Sequence, residues 1–401
     1  MHSLSAETPA APRLPRARRF ELAPFLAGAV VLAVAMGIGR FAYTPLIVVM
    51  RADAGLSVAF AGILASVNLA GYLAGALLAM HPTSGRYRVA LVRGGSVFVV
   101  VLTASMALPS PVWLCARFFT GVASGLVFVL VVSLLLDESA KLRSRYGIPV
   151  LFSGVGCGIA FAGAGVPLLA AHGGSRVVWL GLAAFSALAL AGTLPLLRTS
   201  DAPSDEAPVT AARDDASAFA WLCVLYGIEG AAYIIPATFL VAMIAETSSI
   251  ARYAAAAWVL VGLVAAPSVL VWRMLADRIG LAPAFLWACF AQVVALVAPL
   301  VIPAPLGVAI LAAGLGGTFI AIAALGTAFG RHLRPANSNG AIGLLTVLYG
   351  AGQIVGPLAA TQVALRSGSY RTALPLAAVP LLLATVAFAI RLRGRRRGAT
   401  G

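Results

Sequence analysis

Two apolar stretches about half a chain apart carry the same short pattern. Gly37-Ile38-Gly39-Arg40-Phe41-Ala42-Tyr43-Thr44-Pro45 recurs loosely as Gly227-Ile228-Glu229-Gly230-Ala231-Ala232-Tyr233-Ile234-Ile235-Pro236. The common frame is Gly-Ile-x-x-x-Ala-Tyr with a proline two or three residues on, at an offset of 190. Such a repeat points to two related halves. Both copies lie in long apolar runs, so each half must satisfy its backbone without water. One copy carries a cation, Arg40, where the other carries an anion, Glu229.

Hydropathy sets the class. Hydrophobic residues make up 61% of the 401 positions and charged ones 10%, against about 25% charge in a soluble domain. The expected fold is an all-α polytopic membrane protein, because a span must close its own hydrogen bonds and no barrel-type alternation is present. Twelve runs have spanning length: 24–49, 57–80, 90–108, 112–136, 147–170, 176–197, 218–245, 252–272, 282–302, 306–328, 341–364 and 372–391. The net charge of +15 does not indicate nucleic-acid binding, since the cations sit between apolar runs rather than on a basic face with interleaved aromatics. Cys115, Cys157, Cys223 and Cys289 fall in four different runs without CxxC spacing, as small buried hydrophobes do.

Charge asymmetry predicts orientation. With the N-terminus inside, 21 lysines and arginines fall in inside segments and five outside, with Arg40 and Arg117 left within spans. The expected organisation is a cytoplasmic tail at 1–23, a six-helix half at 24–197, a cytoplasmic acidic Pro/Ser linker at 198–217, a second six-helix half at 218–391, and a basic tail at 392–401. Both termini are then cytoplasmic. A second repeat agrees, since an offset of 192 pairs Arg86 with Arg278, Gly85 with Asp277 and Gly125 with Gly317.

Twelve spans, a central linker and parallel repeats resemble the major facilitator superfamily over nearly the whole chain. Ala276-Asp277-Arg278-Ile279-Gly280 looks like its loop signature, which implies a conformational latch at Asp277 and Arg278, with Arg86 in the degraded first copy. Leu114-x-x-Arg117-x-x-x-Gly121-x-x-x-Gly125 is similar to the span-four signature, whose arginine is associated with proton coupling. Gly352-x-x-x-Gly356-Pro357 in span eleven loosely resembles the glycine-proline pattern of antiporters. The span-one segment from Gly37 to Pro45 is similar to the hallmark of the YbfB/YjiJ-type members. The resemblance implies a carrier in the bacterial plasma membrane and names no cargo.

The candidate substrate and coupling residues are the polar groups inside spans. Arg40 lies 16 residues into the first predicted span, where an arginine costs about 2.5–3.5 kcal/mol on insertion scales. It is either an anion-binding or gating group, or an arginine tied to backbone carbonyls at a helix break near Pro45. Glu229 is the one acidic residue deep in any predicted span. It is expected to titrate during a cycle and to meet Arg40 across the axis in one state; the alternatives are a static ion pair, or a cap on a kink between Gly227 and Gly230. Arg117 either takes part in function or snorkels to the outer surface. Asn68 is a cross-helix bond or a substrate contact. Tyr43 and Tyr233 are repeat-related, each three or four residues from its charged neighbour and so on the same helical face. Tyr349 and Gln353 share a face by the same spacing. Gly121, Gly125, Gly352, Gly356 and Pro357 are expected to serve helix packing.

No HExxH, GxSxG or Walker pattern is present, and the four histidines lie in the tail or connecting loops. The expected function is therefore not enzymatic and needs no cofactor. It is a secondary transporter, moving a small monocarboxylate or moderately hydrophobic solute by alternating access, proton-coupled, with export favoured. Membrane lipids, the solute and a proton are its expected partners, and it is expected to be monomeric. The alternatives are a non-transporting receptor or scaffold, and a lipid flippase.

Overall fold

The computed structural model describes residues 16–81, 84–142, 144, 146–197, 215–247 and 249–398. Most of the expected tail at 1–23 and of the linker at 198–217 lies outside these. Among the described residues the long elements are all helical and no strand occurs.

Among the described residues twelve helices are long and apolar enough to cross a membrane: Leu22–Asp53, Val58–Leu78, Gly85–Ser105, Ser110–Ser139, Gly147–Ala170, Gly174–Leu196, Ala216–Ala245, Ala251–Ile279, Leu281–Val301, Leu306–Leu333, Gly340–Ser367 and Tyr370–Arg393. These are spans one to twelve. Three differ materially from the sequence reading. Span three begins at Gly85 rather than 90, and spans eight and ten run on to Ile279 and Leu333. The reason is the same in each case. Hydropathy falls where arginines begin, but a helix does not end where the hydrocarbon does. Consequently Asp277 and Arg278 occupy the last turn of a helix, not a loop. A single residue, Gly280, joins that helix to span nine at φ +92°, a conformation that favours glycine.

Span one is the irregular element. A helix over Arg16–Leu32 passes into a π-helical turn at Ala33–Ile38 before helix resumes at Tyr43–Asp53. The amides of Gly39 and Phe41 reach back five residues, to Val34 and Met36, at 2.8 and 2.9 Å. Pro45 has no N–H for the Phe41 carbonyl, which takes a 3.3 Å bond from Thr44 instead. Such π-turns recur at functional sites. Arg40 sits in the non-helical stretch between the two helices.

Glycines set how closely the spans approach. Gly71 and Gly75 of span two face the Phe118 and Val122 carbonyls of span four, while Gly121 and Gly125 of span four face the Asn68 and Tyr72 carbonyls of span two. A methyl group at any of the four would collide with backbone. Span five divides its glycines between two partners: Gly154 and Gly158 pack on span one, Gly156 and Gly163 on span eight. Gly352 and Gly356 of span eleven lie against span seven. Close backbone approach of this kind drives helix association where lipid removes the hydrophobic driving force.

Gly121→Leu is expected to lower thermal stability steeply, by more than the ~1–3 kcal/mol typical of overpacking, because backbone cannot give way. Gly94→Leu, where a Cβ meets nothing within 4 Å, is expected to stay within about 0.5 kcal/mol of the parent. Melting curves of the purified variants check the contrast.

Candidate functional site

Arg40 is 5% exposed. Its Nη2 donates to Tyr233 Oη at 2.8 Å and to Gln353 Oε1, and Tyr233 Oη itself donates to Gln353 Oε1 at 3.0 Å. The guanidinium lies 4.6 Å from the ring centre of Tyr72 and 5.0 Å from that of Phe41. Its partners are thus side chains from spans seven and eleven and two aromatic faces, not the backbone carbonyls of a helix break. None of them carries a full negative charge.

Arg117 is equally enclosed, at 3% exposure, and does not snorkel. Its Nη1 donates to the Gly39 carbonyl at 3.2 Å, and its guanidinium sits 4.4 Å over the Tyr43 ring. Tyr43 Oη donates to the Ala61 carbonyl at 3.1 Å. Helical spacing did not predict the partners of the two tyrosine hydroxyls. Tyr43 faces Arg117 because the chain turns non-helically between residues 39 and 42. The Tyr233 hydroxyl bonds Arg40. Asn68 makes a cross-helix bond, Nδ2 to the Arg117 carbonyl at 2.8 Å. A cavity of about 20 Å³ lies among Arg40, Tyr43, Thr44, Asn68, Arg117 and Thr238.

Rings also gather around Arg40 as a wall. Tyr226 stacks on Tyr349 at 4.6 Å, Tyr349 on Tyr233 at 5.4 Å, and Tyr233 on Phe319 at 5.6 Å; Phe41 meets Phe319 edge-on at 5.6 Å. Tyr72 and Tyr349 remain partly exposed. These side chains come from spans one, two, seven, ten and eleven, so the wall belongs to both repeats.

Glu229 is fully buried and makes no ion pair with Arg40 in this state. Its Oε2 accepts from Gln292 Nε2 at 2.9 Å, and Gln292 Oε1 accepts from Thr318 Oγ1 at 2.8 Å. Nor does it cap a kink, since the helix Ala216–Ala245 runs through it. The carboxyl is held within spans seven, nine and ten by neutral groups. A carboxyl in such surroundings avoids the charged form or finds a counter-charge.

Sequence reasoning passed over Gln292 and Thr318, although a glutamine deep in an apolar run is itself a signal. It also passed over Tyr72, four residues beyond Asn68, and Phe41, inside the repeated pattern itself.

The family described as "Uncharacterised MFS-type transporter YbfB" matches residues 32–389. The chain belongs to this family. As a YbfB-type member it is a multi-pass membrane transporter of the major facilitator fold. Among solved structures it is similar to the nucleoside transporter NupG in its D323A mutant form, with a TM-score of 0.66 at 16% identity over 93% of this chain and 98% of that one. It is also similar to a bacterial homologue of the human lysosomal transporter Spinster in an inward-facing, unoccupied conformation, with a TM-score of 0.61 at 16% identity over 92% and 94%. At such identities the likeness is one of fold. Among curated proteins none matches the sequence significantly.

In this YbfB-type transporter the two repeats meet along spans one and seven at the Arg51 end. Thr44 Oγ1 donates to the Ala237 carbonyl at 2.5 Å, and Arg51 pairs with Glu246 at 3.1 Å. Ser66 Oγ donates to the Ile354 carbonyl at 3.0 Å between spans two and eleven. The Arg51–Glu246 pair is about one-third exposed, so its own contribution is at most about 1 kcal/mol. At the other end Arg86, Asp277 and Arg278 are exposed, and it is Arg88, not Arg86, that forms an ion pair, with Asp137 of span four at 3.1 Å.

Gln353→Leu is expected to destabilise the protein by about 1–3 kcal/mol, because it removes a buried acceptor from a charged donor. In an Arg40→Leu background the same change is expected to cost far less. A double-mutant cycle on melting temperature measures the coupling; additive effects would mean that the two groups do not depend on each other.

Proposed function

We propose that this transporter is a secondary carrier for a small monocarboxylate with a moderately hydrophobic body, working by alternating access, coupled to a proton and favouring export. One observation carries the reading: Arg40 is buried at the meeting point of both repeats, yet its partners are neutral dipoles and ring faces. A guanidinium desolvated in this way has a strong affinity for one carboxylate. The ring wall from Tyr226 to Phe319 offers the adjoining apolar surface, with Tyr72 and Tyr349 open to contact. A low total of buried charge is in keeping with a monoanion rather than a sugar phosphate.

Glu229 is the proposed proton carrier. Its shell of Gln292 and Thr318 suits a neutral carboxyl, and its place on span seven, four residues before Tyr233, ties its charge state to the group that bonds Arg40. In another state of the cycle it draws level with Arg40. The direction rests on the Gly352-x-x-x-Gly356-Pro357 pattern. The charge bias supports a bacterial inner-membrane protein with cytoplasmic termini, two six-helix halves at 24–197 and 218–391, and the Arg51–Glu246 end facing outward. The cross-repeat bonds at that end support a state closed to the outside. A monomer contains every group the reading needs.

A thermal-shift series of monocarboxylates is expected to stabilise the wild type and not Arg40→Ala; a ligand at 100 times its Kd adds about 2.7 kcal/mol. Equal shifts in both proteins would remove Arg40 from the site. In proteoliposomes, Glu229→Gln is expected to abolish flux driven by a pH gradient while sparing solute exchange. Unchanged pH dependence in that variant would rule Glu229 out as the proton group.

A further inference from the structure

The cavity beside Arg40 is bordered by Thr44 and Ala237, which bond to each other across the repeats, and by Phe41, whose ring also meets the ring wall. Its lining includes the two buried arginines, Arg40 and Arg117. Two like charges sharing a low-dielectric space repel strongly. Among the described residues the ion pairs are Arg51–Glu246 and Arg88–Asp137, so neither buried guanidinium has a carboxylate. Arg117 has one backbone carbonyl and one ring face for its charge. The Nε–H groups of Arg40 and Arg117 are both buried donors without a hydrogen-bond partner. Buried donors of this kind call for an acceptor.

Size and lining narrow the occupant. A volume of about 20 Å³ is room for one small particle. Ala65, Leu69, Ile234 and Ala237 supply apolar rim, and Thr238 a hydroxyl. A water molecule would satisfy donors but leave both positive charges uncompensated. A single weakly hydrated anion would accept from the donors and offset one of the two charges. We propose that this cavity is a binding site for one inorganic anion of halide size, held between Arg40 and Arg117 and separate from the carboxylate site on the ring side of Arg40. The bound ion neutralises Arg117 and leaves Arg40's ring face for a second anion. This assignment stands on the cavity and on Arg117, and it does not require the solute to be a carboxylate.

The test uses the whole purified chain in detergent at fixed ionic strength. Chloride or bromide replaces gluconate stepwise, and the melting temperature is followed. A saturable rise with halide and none with gluconate is expected, with Arg117→Gln losing the halide-dependent increment. Equilibrium binding of radioactive chloride to the wild type gives an independent count, expected at one ion per chain, so that a poorly folding variant does not decide the matter. No saturable halide binding would mean that the cavity holds water only and would overturn the proposal. Unchanged halide affinity in a folded Arg117→Gln would place the ion elsewhere and overturn it equally. A saturating monocarboxylate that leaves the chloride count at one supports two sites; one that expels the ion stoichiometrically would show a single shared seat. A missing carboxylate shift with halide binding intact would instead sink the proposed solute and leave the halide site standing.

Discussion

A guanidinium in hydrocarbon is the fact around which this molecule is arranged. Arg40 enters the bilayer on a span that gives up regular helix to present it, and three other spans turn polar or aromatic atoms toward it. Tyr233, Gln353, Tyr72 and Phe41 spread the charge without cancelling it. A carboxylate in the same position would have made a static pair, and a static pair gives a carrier nothing to exchange. Neutral partners hold the cation in place without cancelling its charge, which sets the proposed anion site apart from a buried structural ion pair.

The repeat gives the site its symmetry and its asymmetry. Spans one and seven are in contact, and several cross-repeat bonds join residues separated by nearly the repeat offset, such as Arg40 with Tyr233 and Thr44 with Ala237. The two copies of the pattern nevertheless have different local fates. In the first, Gly37 packs on Gly158 and the chain passes through a π-turn. In the second, the helix continues through Glu229 and the carboxyl is drawn sideways to Gln292. One copy offers its charge to the interface between halves, and the other keeps its charge within one half.

The spans themselves were legible in the sequence, because the cost of an unpaired backbone in lipid leaves few ways to arrange long apolar runs. The depth of Arg40 and Glu229 was legible for the same reason. Their partners were not. Helical spacing places residues on faces only while the helix persists, and the break at residues 39–42 sends Tyr43 to Arg117. Gln292 and Thr318 are uncharged, so hydropathy barely registers them, although one bonds the acid and the other holds that partner. Helix ends were misread wherever charge begins, as at Asp277 and Arg278, because hydropathy reports the membrane edge and the backbone does not stop there.

The contact between spans five and eight is made largely of glycine and alanine backbone, with Gly156 against Gly262 and Gly163 against Val259. Surfaces without side chains have no teeth to interlock. Two helices that meet in this manner can slide or tilt across one another with little rearrangement of packing, as a smooth bearing permits rotation that a geared one forbids. The same smoothness makes the bearing easy to jam: one added methyl group at Gly262 acts as a wedge between the halves. Positions of this kind, remote from any charge, are where the chain's freedom to move would be won or lost.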